Sequence, residues 1–326
     1  MAMRDRIETK IYHSYSDDFV ETADQEYELP ADYRWIDDSR SGKVKYAVLH
    51  GVGLVIASIY DKVILGRRVH DRDAIKRFHA EDGGGYFIYA NHTQPVGDAT
   101  LPMLLSFPKR AYVIVSPANL GIPFLGPLLP YLGALPTPNN IEGLRELDQA
   151  VEQRLSEGSA IMVYPEAHLW PWHTGIRPLP ISAFSFPVAT GRPVFTATTT
   201  YHQSSFRKHP CATVYVDGPF YPDESLPKTK RKRKLRDEVQ AAMERRAALS
   251  TCEYVHYEPD PESGLASTYP KAIQEGEDHT GPQGDSGPQG DSGPQGGSGP
   301  QDRADSQEGS GPVDGAAGSS EEGDAS

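Results

Sequence analysis

Five short apolar runs, separated by helical or loop stretches, constrain the fold of this chain more than any other feature. The runs span residues 86–90, 111–115, 160–164, 193–198 and 213–216. Each run has the length and the β-branched or aromatic content of a strand. Helical patterns cover 140–157 and 230–249. Strands that alternate with helical stretches predict an α/β fold, with a mixed or mostly parallel sheet flanked by helices.

Residues 271–326 differ in composition from the rest of the chain. They hold no Leu, Phe, Trp, Tyr or Met, so they cannot bury enough apolar surface to offset the entropy of ordering. They also carry 12 acidic and 2 basic residues, which leaves 33 acidic and 30 basic residues in 1–270. We therefore predict a disordered acidic tail. The net charge of −13 belongs mainly to this tail and indicates nothing about partners of the folded part.

The tail contains one repeat. Residues 281–301 form seven Gly-X-Y triplets, which is the period of collagen. Proline occurs in only four of the triplets, so we interpret the repeat as a disordered spacer, with a trimerising stalk as the alternative. We divide the chain into an N-terminal arm (1–42), an α/β domain (43–270) and the tail.

Cysteine usage and the apolar runs favour a cytoplasmic protein without an integral membrane segment. Cys211 and Cys252 are the only cysteines, too few for a disulfide framework. Residues 1–10 are charged and lack the apolar core of a secretory signal. The longest apolar run, 46–60, contains His50 and is shorter than the roughly 20 residues that a spanning helix needs.

An amphipathic helix is predicted around this run. Leu49, Val52, Ile56, Ile59 and Val63 follow one another at intervals of three and four residues. Basic residues flank the stripe on both sides. Two interpretations stay open: the stripe packs on the protein's own core, or it lies in the plane of an anionic membrane surface.

The loop after the first strand-like run carries residues suited to acid–base chemistry. Asn91 and His92 follow the run, and Asp98 comes six positions after the histidine. A carboxylate beside one imidazole nitrogen fixes the tautomer and stabilises the imidazolium that forms during proton abstraction. We predict His92 as the catalytic base and Asp98 as its orienting group. The alternative is that Asp98 only caps the following helix and His92 is structural.

A second loop follows the run at 160–164 and contains Glu166 and His168. In an α/β sheet, residues at the carboxyl ends of strands meet at one edge, so this loop is expected beside the first. Glu166 would bind a hydroxyl, hold the cleft loops together, or lie at the surface without a role.

Taken together, the motifs resemble the glycerol-phosphate and lysophospholipid acyltransferase family, which includes the bacterial 1-acylglycerol-3-phosphate acyltransferase. The resemblance covers about residues 43–250. Its four blocks are Asn91-His92 with Asp98, Gly121–Gly126 running on to 133–136, Tyr164-Pro165-Glu166-Ala167, and 187–188 with 192–194. The fold it implies is acyltransferase-like.

The resemblance implies transfer of a fatty acyl group from acyl-CoA or acyl carrier protein to a lysophospholipid or glycerol-phosphate hydroxyl, in phospholipid biosynthesis. It implies no cofactor and no metal; the acyl donor is a co-substrate. The catalytic residues would be His92 and Asp98. The substrate-binding residues would be Asn91, Pro123, Phe124, Gly126, Glu166, Ala167 and Arg177.

The chain departs from the family pattern at several positions. Five residues separate His92 from Asp98, where the family has four; Gly97 is the residue that most easily accommodates the extra position, through left-handed backbone angles. Ala167 replaces a glycine, and the arginines expected to bind phosphate are missing. Arginine suits that task because its planar fork binds phosphate through two hydrogen bonds. The candidate replacements are Arg177, Lys109, Arg110 and Arg192; otherwise the acceptor is not a phosphate ester.

Three features predict contact with the inner face of the membrane. They are the amphipathic helix, the tryptophans Trp170 and Trp172, and a run with seven basic residues in nine at 228–236. Each also has a structural interpretation, as a core element or a solvated helix. Nucleic acid is not an expected partner, because no basic excess or binding motif occurs elsewhere. The oligomeric state is left open.

Other functions are compatible with the same residues. His92, Asp98, Glu166, His168 and His173 would together suit a metal-dependent hydrolase. A thioesterase would use the same base to activate water. A third alternative, suggested by the altered His–Asp spacing, is an inactive lipid-binding scaffold.

Overall fold

The computed structural model describes residues 7–20, 27–30, 32–37, 39–204 and 209–269. The predicted tail and its Gly-X-Y repeat lie outside the described residues. The strands are β1 Glu8–Tyr12, β2 Arg68–His70, β3 Tyr86–Ala90, β4 Ala111–Val115, β5 Ala134–Pro136, β6 Ala160–Val163, β7 Val194–His202, β8 Cys211–Phe220 and β9 Val255–Pro259. The α-helices are α1 Arg40–Ile59, α2 Asp73–Glu81, α3 Gly97–Ser106, α4 Ile141–Ser156, α5 Ser185–Thr190 and α6 Lys228–Ala247.

Seven strands form the central sheet, in the order β2-β8-β7-β3-β6-β4-β5. Neighbouring strands are parallel, apart from the antiparallel pair β7 and β8. Helices cover both faces. The prediction of a mixed, mostly parallel α/β sheet flanked by helices is therefore confirmed.

β3 lies at the centre of the sheet, and its side chains alternate between two cores. Tyr86, Ile88 and Ala90 pack on the side of α2 and α3, whereas Phe87 and Tyr89 pack on the side of α4 and α6. Every residue of β3 is buried. A strand covered on both faces has no polar side, which is why the sequence shows a continuous apolar run there.

The segment expected to be an N-terminal arm contributes a strand. β1 pairs in parallel with β9, from Glu8 opposite Val255 to Tyr12 opposite Pro259. Behind this pair, Tyr12, Trp170, Tyr257 and Tyr269 form a separate buried cluster. The sequence analysis did not predict a strand at residues 8–12, because a five-residue edge strand with mixed polarity carries little local signal.

α1 differs from both the length and the burial that we expected. It continues through a π-helical turn, Tyr60–Leu65, and the helix Arg40–Leu65 is long and apolar enough to cross a membrane, although we predicted no such segment. His50 and the glycines interrupt the apolar run without making the helix polar, so an uninterrupted run of apolar residues underestimates the length of the apolar helix.

The described residues leave most of the apolar stripe on this helix uncovered, although Leu49, its first residue, is half-buried. Val52, Ile56, Ile59 and Val63 are between 51% and 63% exposed. The helix instead buries Gly42, Tyr46 and Ala57, and Gly53 faces Leu132 and Met103. The interpretation that the stripe packs on the protein's own core is therefore wrong.

The tyrosine and tryptophan cluster gives a stability prediction. Trp170 is fully buried, stacks on Tyr257 at 4.9 Å, and donates from Nε1 to the backbone oxygen of Asp17. Trp170→Ala should lower the free energy of unfolding by about 3–5 kcal/mol, because it leaves a large cavity. Tyr221→Ala, at an exposed position, should change it by less than about 0.5 kcal/mol. Urea titration followed by circular dichroism checks both, and equal effects would contradict the assignment of Trp170 to a core.

Candidate active site

Three loops meet at one edge of the sheet. β3, β6 and β4 are parallel neighbours, so the loops that follow them leave the sheet on the same side. These loops contain His92, Glu166 and the segment 121–126, respectively. The fold thus places the three predicted blocks beside one another.

Asn91 fixes the point where the chain leaves β3. Its side-chain nitrogen donates to the backbone oxygen of Thr199 at 3.0 Å, and its side-chain oxygen accepts from the Thr199 N–H at 2.8 Å. The Asn91 side-chain amide therefore extends the hydrogen bonding between β3 and β7 by one residue beyond the end of β3. Asn91, predicted to bind substrate, is fully buried, and these contacts give it a structural task.

The imidazole of His92 lies against the Asp98 carboxylate. The ring Nδ1 is 2.8 Å from Asp98 Oδ2. The carboxylate is an acceptor when ionised, so Nδ1 carries the proton and Nε2 keeps its lone pair. The His92 side chain is 24% exposed and that of Asp98 only 2% exposed, so the ring reaches solvent while its orienting group does not.

The same carboxylate oxygen organises the loop backbone. Asp98 Oδ2 accepts the N–H groups of Thr93 and Gln94, both at 2.9 Å. α3 has Val96 at its N-cap, with no capping hydrogen bond from that side chain. Asp98 sits one residue inside the helix and bonds backward to the loop, so the alternative that it only caps the helix is wrong.

Two tyrosines that were not among the predicted site residues support the His92–Asp98 pair. The Tyr164 ring stacks on the His92 ring at 4.5 Å, and its hydroxyl donates to the Asp98 backbone oxygen at 2.6 Å. The Tyr201 hydroxyl contacts Thr93 Oγ1 at 2.7 Å and accepts from Gln94 Nε2. Burial, and then the nearby Asp98 carboxylate, raise the pKa of both phenols, so both stay protonated at neutral pH.

Tyr164 belongs to the third motif block, but no sequence signal pointed to Tyr201. It comes from β7, next to β3 in the sheet. Its contribution depends on strand order, which a single sequence does not fix.

Glu166 holds the two main loops together. Its Oε2 accepts the His92 N–H at 3.0 Å, and its Oε1 accepts the Arg177 N–H at 2.9 Å. It is 6% exposed, so it is not a surface residue. Of the three roles considered for Glu166, its contacts favour that of holding the cleft loops.

Arg177 is engaged within the protein. Its guanidinium pairs with Glu166 Oε2 at 3.2 Å, donates to the backbone oxygens of Tyr15 and His168, and stacks on Trp170 at 4.5 Å. It is 1% exposed. Substrate binding by Arg177 stays a prediction that this geometry does not favour.

The other candidate phosphate-binding residues lie away from the loops. Lys109 and Arg110 immediately precede β4, and Arg192 comes just before β7. Both positions are at the amino-terminal edge of the sheet, opposite His92. Arg110 stacks on Tyr46, and Arg192 pairs with Asp82. The expectation that they replace the missing arginines is therefore not supported by their position.

The loop after β4 is partly exposed and partly tightly folded. Phe124 is 95% exposed and, with φ of 63°, lies in the left-handed region, as does Ala167 in the neighbouring loop. A β-carbon at Gly126 would collide with the Leu120 carbonyl oxygen. Pro123 and Gly126 thus shape a loop that projects Phe124. Their substrate-binding roles stay predictions.

Gly97 has a different function from the one we expected. Its backbone is helical, not left-handed. A β-carbon there would collide with Nη2 of Arg67 and approach Leu65 Cδ1. Glycine accommodates the lengthened loop because it leaves space for a neighbouring arginine, which the sequence analysis missed.

Trp170 and the histidines of the second loop also differ from some expectations. Trp170 is buried, so its proposed membrane contact was wrong. His173 is fully buried beside Thr268, and burial lowers its pKa well below the usual value, so it stays neutral. Over the described ranges, no three His, Cys, Asp or Glu side chains are grouped closely enough to hold a metal ion. Trp172, by contrast, lines a cavity of about 360 Å³ together with Leu65 and Gln94.

Comparison with known proteins finds similarity among solved structures. No family model and no curated protein sequence matches the chain. The solved structure of the 1-acyl-sn-glycerophosphate (LPA) acyltransferase PlsC from Thermotoga maritima is similar, with a TM-score of 0.44 and 15% sequence identity. The match covers 67% of this chain and 87% of that chain.

The contacts of Arg177 predict a structural phenotype. Arg177→Met should lower the free energy of unfolding by about 3–5 kcal/mol, because it leaves the Glu166 carboxylate buried without its counter-charge. Arg192→Met, which breaks a partly exposed pair, should change it by less than about 1 kcal/mol. Urea unfolding checks both variants. Weaker binding of a phosphate-bearing acceptor at unchanged stability would instead support Arg177 as a substrate-binding residue.

Proposed function

We propose that this protein is an acyltransferase that acts at a membrane surface. It moves a fatty acyl group from a thioester donor, acyl-CoA or acyl carrier protein, to a hydroxyl of a lysophospholipid or glycerol-phosphate acceptor. The observation that carries the proposal is the 2.8 Å contact between His92 Nδ1 and a buried Asp98 carboxylate, with the ring reaching solvent at the loop edge of the sheet.

The mechanism follows from the chemistry of alcohols. A hydroxyl is a weak nucleophile at neutral pH, so His92 Nε2 takes its proton as the oxygen attacks the thioester carbonyl carbon. Asp98 orients the ring and stabilises the imidazolium. The carbon–sulfur bond then breaks, and the leaving thiolate receives the proton from Nε2. The step is balanced without a covalent acyl-enzyme or a cofactor.

The exposed stripe of α1 supports the membrane part of the proposal. An apolar ridge more than half exposed along several helical turns matches a membrane or protein interface better than a solvated surface. Lys43, Lys45, Lys62 and Arg68 flank it, as expected of a helix on an anionic surface at the inner face of the membrane. α1 also packs at Gly53 against Leu132, at the end of the segment that follows the exposed Phe124.

The basic run at 228–236 is less suited to this surface. It forms the first half of α6, which packs on the sheet face opposite α3. Lys232 and Lys234 bond to Ser185 and Asp223. We therefore base membrane binding on α1.

The two alternative enzymes are distinguishable from transfer. A metal-dependent hydrolase needs Glu166 as a ligand, but both of its oxygens already accept hydrogen bonds from His92 and Arg177. A thioesterase would use the same His92 and release free fatty acid, so the products decide between the two.

The catalytic role of His92 is testable with purified protein. Incubation with labelled palmitoyl-CoA and a panel of lysolipid and glycerol acceptors, read by mass spectrometry, should give an acylated acceptor. His92→Ala should lower the rate by about 10²–10⁴-fold, the usual contribution of a positioned base, without changing the melting temperature. Asp98→Asn should also lower it strongly. Near-normal transfer by His92→Ala would overturn the role of His92 as the base, whereas no transfer by the unchanged protein would favour the inactive scaffold.

His168→Ala is the matched control. His168 lies two residues after Glu166 but makes no contact in the His92–Asp98 network, so transfer should continue. Loss of activity in this variant, together with loss on addition of a chelator, would favour the metal-dependent hydrolase.

Membrane binding has its own prediction. The double variant Val52→Glu, Ile56→Glu should bind vesicles containing anionic phospholipid about 100-fold more weakly, because two apolar side chains no longer leave water. Ile141→Glu, at an even more exposed apolar position on α4, is the control and should bind normally. Cosedimentation measures binding; equal loss in both variants would contradict a membrane surface on α1.

A further inference from the structure

A buried arginine lies directly behind the loop that carries His92. None of the Arg67 side chain is exposed. Its Nε is 3.1 Å from Asp61 Oδ1, an ion pair whose geometry is not that of a hydrogen bond. Its two terminal nitrogens, Nη1 and Nη2, have no hydrogen-bond partner in the described part of the chain. A buried guanidinium with so few partners is costly and needs a physical explanation.

The Arg67 guanidinium packs against Gly97, in the lengthened loop between His92 and Asp98. Nη2 occupies the space that a side chain at Gly97 would fill, and Leu65 and Gln94 close the same space. Gly97 begins α3 and immediately precedes Asp98. Gly97, the residue to which we assign the extra loop position, therefore provides the surface that Arg67 contacts.

The guanidinium also lies in the electrostatic environment of Asp98. Burial is the main cause that raises the pKa of Tyr164 and Tyr201; the Asp98 carboxylate adds to the rise and Arg67 opposes it, for both phenols. The charges of Asp98 and Arg67 thus act in opposite directions on the same two hydroxyls. Asp98 Oδ1 is buried and, like the Arg67 nitrogens, lacks a hydrogen-bond partner among the residues that the structure describes.

The partner of Arg67 belongs to the apolar helix. Asp61 lies in the π-helical turn that ends the helix Arg40–Leu65, and its backbone oxygen accepts the N–H groups of Gly66 and Arg67. Asp61 is itself buried, and burial raises the pKa of its carboxyl, which Arg67 opposes. The Asp61–Arg67 pair therefore connects the end of the exposed helix to the loop of His92 and Asp98.

We propose that Arg67 is a positioning residue for the His92–Asp98 pair. It braces the loop at Gly97 and balances the Asp98 charge inside the protein, while Asp61 holds it in place. The effect of Arg67 on catalysis rests on the proposed function. Its effect on the hydrogen bond between His92 and Asp98 does not depend on that function. Arg67 acts through Asp98 and does not touch the substrate.

The experiment compares Arg67→Met with Arg67→Lys in the full-length protein. Methionine keeps the bulk but removes the charge; lysine keeps a charge with one nitrogen. Because Arg67→Met leaves Asp61 buried without a partner, the double variant Asp61→Asn, Arg67→Met is the second form, in which no unpaired charge is left at this position. Arg246→Met, which breaks an ion pair with Asp217 and Asp71, is the control for loss of an arginine elsewhere.

Two measurements follow. The first is proton NMR of the Nδ1–H of His92, assigned with His92→Ala, which reports the hydrogen bond to Asp98 without any substrate. This resonance should be lost or broadened in Arg67→Met and in the double variant, and retained in Arg67→Lys and Arg246→Met.

The second measurement is transfer from palmitoyl-CoA to lysophosphatidate. The kcat should fall about 10–100-fold in Arg67→Met, with both KM values within about twofold and partial recovery of kcat in Arg67→Lys.

The outcomes separate the two proposals. An unchanged Nδ1–H signal and unchanged kcat in the double variant would overturn the role of Arg67. A selective rise in the KM for lysophosphatidate at normal kcat would overturn it too, because the guanidinium would then bind substrate. A signal that depends on Arg67 in a protein without transfer activity would support the positioning role and refute the acyltransferase proposal.

Discussion

The Asp98 carboxylate is the constraint on which the rest of the site depends. One oxygen, Oδ2, accepts from the His92 ring and from two backbone N–H groups of the intervening loop. A carboxylate that is buried away from water needs such hydrogen-bond donors. The three hydrogen bonds therefore fix the positions of the His92 ring, the loop and the first turn of α3 relative to one another. The tyrosines at Tyr164 and Tyr201 and the buried Arg67 are arranged around that fixed charge. The lengthened loop between His92 and Asp98 is therefore compatible with a short hydrogen bond between these two side chains.

The parts of this arrangement that could be predicted are those with a local signal. β3 and β4 have the bounds expected from their apolar runs, because β3 is buried along its whole length and β4 is buried or half-buried, so neither strand has a polar residue inside it. The proximity of His92, Asp98 and Glu166 could be predicted because parallel strands bring their carboxyl ends to one edge. Each inference needed only a pattern within a few residues and a general rule of sheet architecture.

The remaining parts depend on contacts between distant segments. The sequence does not show that Arg177 is enclosed by Glu166 and by the backbone of Tyr15, so it was expected to bind a ligand. Gly97 was expected to supply a backbone angle, whereas it supplies space for Arg67. The stripe on α1 has the same period whether it faces a core or a membrane, and periodicity alone does not separate the two.

The pairing of β1 with β9 has a consequence for the newly made chain. Arg177, which pairs with Glu166, also donates to the backbone oxygen of Tyr15, and Trp170 donates to that of Asp17. The segment after β1 therefore supports the loop that contains Glu166. β1 finds its partner only when Pro259 has emerged from the ribosome. A nascent chain therefore exposes its apolar helix early, whereas the contacts that support the loops of His92 and Glu166 are complete only after β9 has been synthesised.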